Sequence, residues 1–157
     1  MGASKIRVQK GAIMKEVYFY VFFAAITTLQ FILILNGFLP PLLAYSIGNI
    51  LFSLAIAVIL IYMGWSFAKL SLKKVAIKGV IAAVVNMIVI SLATLIGHII
   101  KKPVLGIYIS SIYYLPIYLL ILALLSIILC VLFATMGARL AQRAKHSKKT
   151  RKTSGHR

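Results

Sequence analysis

Residues 116–137 read PIYLLILALLSIILCVLFATMG. The stretch holds no Lys, Arg, Asp or Glu. As a helix at ~1.5 Å per residue it is about 33 Å long, enough to cross a hydrocarbon core of about 30 Å. In lipid the backbone must satisfy its own hydrogen bonds, so a long uncharged run of this kind is a helix. A membrane barrel would show short alternating segments instead.

Three further stretches share this character: Val17–Leu39, Leu42–Gly64 and Gly79–Ile100. Each lacks a charged residue. The chain as a whole is 62% hydrophobic and 12% charged, against about half and about a quarter in soluble domains. A soluble domain of 157 residues could not bury so much apolar surface. The fold class is therefore all-α: a polytopic membrane protein with four transmembrane helices arranged as two hairpins. Residues 1–16 form a basic N-terminal segment, 17–137 the transmembrane domain, and 138–157 a basic tail. The tail's Ser, Thr, Gly and Lys content predicts disorder. The first apolar run reads as a span and not as a cleaved leader, being longer than a signal core and lacking a cleavage motif.

The connections are short. Pro40 and Pro41 break the chain between the first two spans, because proline cannot continue a helix interior. Residues 103–115 are apolar and aromatic, yet 103–137 is too long for one span. They are interfacial or re-entrant, with Tyr108, Tyr113 and Tyr114 at headgroup depth; the alternative is one long tilted helix kinked at Pro116. An offset of 73 residues aligns Leu51 with Leu124, Ser53 with Ser126, Met63 with Met136 and Gly64 with Gly137. Lys-Gly precedes both odd spans, at Lys10-Gly11 and Lys78-Gly79. A tandem duplication is one explanation of this pattern.

The chain has 18 basic residues, one acid and a net charge of +17. With four spans, all basic residues but Lys101 and Lys102 fall on one side. The positive-inside rule then places both termini in the cytoplasm, and the expected location is the plasma membrane. The tail carries Arg139, Arg143, Lys145, Lys148, Lys149, Arg151 and Lys152, more than orientation requires. Anionic lipid headgroups are its expected contact, at ~1 kcal/mol per cation held near the surface. Nucleic acid is a weaker candidate, because the tail has no aromatic residues beyond two His for stacking on bases.

Enzymatic chemistry is excluded by subtraction, and no cofactor or metal site is expected. The sole acid, Glu16, stands where the first span enters the bilayer; it can favour a helix N-terminus or pair with a neighbouring lysine. Cys130 is the only cysteine and is expected to pack as a small hydrophobe. The polar residues inside the spans carry more information. Asn86, Ser91, Thr94 and His98 share one face of the third span, within ~140° at 100° per residue, and form a possible polar path. Ser46, Asn49, Ser53, Ala57 and Gly64 fall within ~80° on the second span, and Ala123, Ser126, Cys130, Ala134 and Gly137 within a similar arc on the fourth. Such faces let backbones approach closely and are the expected packing seams. Gln30 on the first span needs a partner across the bundle.

These features fit a small non-enzymatic membrane protein, an accessory or scaffold subunit that meets itself as a homo-oligomer or joins a larger membrane complex. Two other readings remain: a small oligomeric transporter or channel for a neutral or anionic solute, and a membrane-anchored nucleic-acid or ribosome binder acting through the tail.

Overall fold

The computed structural model describes residues 2–106 and 114–154, with side chains at 14, 16–106 and 114–145. It contains four helices: α1 (Gly2–Leu35), α2 (Ile47–Ser66), α3 (Leu72–Ile99) and α4 (Leu115–Ser154). All four are long and apolar enough to cross a membrane, over Glu16–Leu35, Ile47–Ser66, Leu72–Ile99 and Leu115–Lys145. Helix α4 packs on α2 and α3, and α1 packs on the other side of the same two helices. The outward surface carries Val21, Ile88, Leu124 and Ile128, each more than half exposed, as lipid surroundings allow.

Contacts between elements define two ends. At one, Glu16 of α1 pairs with Lys78 of α3, and Gln142 Nε2 of α4 donates to the Ala68 carbonyl at 3.2 Å. We call this the basic end. At the far end, Lys102 Nζ donates to the Leu35 carbonyl at 2.7 Å, and the Leu42 N–H to the Val104 carbonyl at 2.8 Å. The interior has two apolar clusters. The one nearer the basic end includes Phe23, Leu60, Met63, Val75, Ala82 and Ala134. The one nearer the far end includes Phe31, Ile34, Ile90, Val104 and Leu105.

Helix boundaries depart from the apolar runs for local reasons. Helix α1 ends at Leu35, before Leu39, because Gly37 takes the left-handed φ of +81°. The Phe38 N–H then bonds back to the Leu33 carbonyl, the glycine-terminated helix stop. Helix α2 starts at Ile47 and not at Leu42. Ser46, in extended conformation, accepts the Asn49 N–H on its side chain, the usual N-cap arrangement. Helix α3 starts at Leu72, earlier than Gly79, and so takes Lys73, Lys74 and Lys78 into its first turns.

Two helices outrun their apolar cores. Helix α1 begins at Gly2 within the basic N-terminal segment, and α4 continues to Ser154 through the stretch whose composition predicts disorder. Ala, Leu, Gln, Arg and Lys dominate the α4 extension, and all are good helix formers. Because α1 starts so early, Glu16 lies inside the helix and not at its N-terminus. Within 103–115, Val104 and Leu105 are buried and Gly106 takes a φ of +83°. Tyr108, Tyr113 and the rest of 107–113 lie outside the described residues. Helix α4 starts at Leu115 with Pro116 in its first turn, where a missing N–H costs nothing.

Candidate functional site

Among the described residues, three separate groups of polar side chains link the helices. The first closes the α1–α2 connection. Gln30 Nε2 donates to Asn49 Oδ1 at 3.3 Å. The Asn49 amide faces the carbonyls of Pro40, Pro41 and Ala44 at 3.3, 3.0 and 3.2 Å. Both side chains are buried. Two prolines leave this turn short of backbone donors, and the Asn49 amide supplies the missing ones. Asn49→Leu is expected to cost about 1–3 kcal/mol through carbonyls left unpaired. It should also speed proteolysis within residues 38–46, measured in detergent micelles.

The second group lies between α3 and α4. Asn86 Nδ2 donates to Ser126 Oγ at 3.1 Å, and Ser126 Oγ lies 4.0 Å from Cys130 Sγ. Asn86 Oδ1 is buried and has no partner among the described residues. The other members of the predicted polar face go elsewhere. Thr94 is buried and donates to its own helix at Ile90, Ser91 is half-buried, and His98 is exposed. Among the described residues no hydrogen bond joins these three to Asn86 or to one another.

The third group is at the basic end. Glu16 and Lys78 form an ion pair between α1 and α3, with side chains 26% and 15% exposed. Tyr20 Oη donates toward Glu16 Oε1 or the Lys78 carbonyl, each at 3.3 Å. Lys78 Nζ also sits 4.7 Å from the centre of the Phe67 ring, a cation–π contact. Phe67 meets Phe19 edge-on, and Phe19 meets Tyr62.

The seams depend on glycine. A Cβ placed on Gly64 would fall on the Ala134 carbonyl, and one on Gly137 would fall on the Ile61 carbonyl. These are reciprocal contacts: the offset of 73 that relates Gly64 to Gly137 also relates Ile61 to Ala134. Each glycine turns an α-hydrogen toward a carbonyl oxygen, a weak bond that recurs where helices touch. Ser126, Cys130, Ala134 and Gly137 are buried, while Ala57 and Ala123 are half-buried. Ser46 serves the α2 N-cap, Asn49 serves the turn, and Ser53 is exposed. Gly79 of α3 adds a seam contact absent from the sequence reading; its Cβ would stand 2.9 Å from Val131 Cα. Its signal was the small-residue spacing Gly79, Ala82, Ala83.

A groove of about 780 Å³ opens between α1 and α2. Helix α1 contributes Tyr18, Phe19 and Phe22, and α2 contributes Val58, Tyr62 and Ser66. On α4, Arg139, Arg143 and Lys145 are exposed; the side chains of Lys148, Lys149, Arg151 and Lys152 lie outside the described residues. Among the described residues no group of three His, Cys, Asp or Glu side chains could hold a metal ion. Comparison with protein-family models, curated proteins and solved structures finds no match to this chain.

Proposed function

We propose that the chain is a non-enzymatic multi-pass protein of the plasma membrane that serves as an accessory or scaffold subunit of a membrane assembly. In this reading its four helices form two hairpins, and both termini are cytoplasmic. One observation carries the reading: the buried polar side chains of the spans donate their hydrogen bonds within the bundle. Gln30 is used on Asn49, Asn86 on Ser126, and Thr27, Thr94 and Thr135 on their own helices. Side chains used this way support a fixed shape for a partner to recognise. A second reading, a small oligomeric transporter or channel for a neutral or anionic solute, draws on the unpartnered Asn86 Oδ1.

Orientation is tested with single-cysteine reporters on a Cys130→Ser background. Ser4→Cys and Ser147→Cys are expected to label from the cytoplasmic face. Tyr45→Cys, at a position 90% exposed beyond the far end, should label from outside. Ser4 and Ser147 on opposite faces would end this topology. For the role itself, purification in mild detergent is expected to bring down one partner protein at fixed stoichiometry. A lone oligomer whose liposome flux changes with Asn86→Leu would establish the transport reading instead.

A further inference from the structure

We infer that the groove between α1 and α2 binds an acyl chain of an anionic phospholipid, in the leaflet at the basic end, with its phosphate held by the lysines just beyond. The shape comes first. Gln30 and Asn49 join α1 and α2 near the far end, and the groove lies between the same two helices toward the basic end, where Phe19 packs against Tyr62 and Phe67. From Val58 to Ser66 it runs about 12 Å at ~1.5 Å per residue. One leaflet of hydrocarbon is about 15 Å deep, so the groove spans most of one leaflet.

The chemistry changes along its length. Phe22 and Val58 line the inner part, while Ser66 and the hydroxyl-bearing Tyr18 and Tyr62 belong to the end nearer the surface. Lys69, two residues past Phe67, and Lys73 and Lys74, in the first turn of α3, are exposed. An apolar channel that ends in hydroxyls and then cations complements a phospholipid with a negative headgroup. The only acid, Glu16, is already neutralised by Lys78, whose ammonium lies over Phe67; it offers a phosphate no net repulsion. A second helix is a poorer occupant. Helices meet in lipid through small side chains, and the groove presents Tyr18, Phe22 and Tyr62, each more than half exposed. A flexible chain can pass between such rings. The choice of leaflet rests on the cytoplasmic orientation proposed above, which the cysteine reporters test separately.

The test uses the full chain in phosphatidylcholine vesicles. Trp65 is the only tryptophan, so Trp65→Phe with Tyr62→Trp puts the sole indole in the groove. Brominated-acyl phosphatidylglycerol should quench it at about one-fifth the mole fraction needed with brominated-acyl phosphatidylcholine, since ~1 kcal/mol per lysine contact gives about fivefold or more. Adding Lys69→Gln, Lys73→Gln and Lys74→Gln should bring the two lipids to parity. Native mass spectrometry of the unmodified chain should find a retained phosphatidylglycerol that the triple lysine variant loses. Equal quenching by both lipids, with no retained lipid, would overturn the proposal even if the reporters place both termini in the cytoplasm. Efficient disulfide formation between Tyr62→Cys chains would also overturn it, by assigning the groove to a second copy.

Discussion

Gly64→Leu and Gly137→Leu are each expected to leave no folded bundle in detergent, and Gly→Ala at either position should cost about 2–3 kcal/mol. The added atom meets a backbone carbonyl of the facing helix. A side chain in that place could rotate aside, but a helical carbonyl is fixed by its own hydrogen bond. Relief requires α2 and α4 to separate, so the cost belongs at the upper end of the usual overpacking range of about 1–3 kcal/mol. Thermal unfolding in micelles measures it. Cys130 gives a local readout, because it is free and buried; its alkylation by a maleimide should accelerate as the α4 seam opens. The double alanine variant should cost less than the two singles combined, since one separation relieves both clashes. Ser53→Leu is the control. Ser53 shares the helical arc of Gly64 but is exposed, so its stability should stay within about 0.5 kcal/mol of the parent.

Glu16→Gln is expected to destabilise the bundle by about 1–3 kcal/mol, while Glu16→Gln with Lys78→Gln should recover most of that loss. Removal of the carboxylate leaves the Lys78 ammonium part-buried against Phe67 without its counter-charge. Truncating one member of such a pair costs more than replacing both, because the charge left behind is poorly solvated. Both side chains keep some exposure, which sets the estimate below that for a fully buried pair. A double-mutant cycle on thermal unfolding should give a coupling of about 1–2 kcal/mol. Strict additivity would reduce the pair to a solvated contact. Added salt should change the parent little, since part-buried pairs are weakly screened.

These two sites differ in how far the sequence discloses them. The four apolar runs follow from composition, because lipid imposes the same demand on every spanning segment. Gly64 and Gly137 stand out as small residues on a shared arc. An arc gives direction around a helix but not distance to a neighbour. Helices that cross touch over a limited length, so Gly64 reaches α4 while Ser53 on the same arc does not. The Glu16–Lys78 pair joins residues on different helices, and no local pattern encodes it. The four polar residues of α3 had a common direction in sequence. The structure divides them: the Thr94 hydroxyl turns back to its own helix, the Asn86 amide reaches Ser126 on α4, and His98 is exposed. Helix ends were obscured because capping by Ser46 and Gly37 depends on backbone torsions, which hydropathy does not report.

The Leu42–Val104 hydrogen bond and the Lys102 ammonium on the Leu35 carbonyl impose an order on biosynthesis. A ribosome delivers the α1–α2 turn long before it delivers residues 102–104. Until α3 has been made and threaded across, the nascent first pair has neither of these ties. Release of the early helices from the insertion machinery into open bilayer should therefore lag their synthesis, and a chain truncated after α2 should remain bound there.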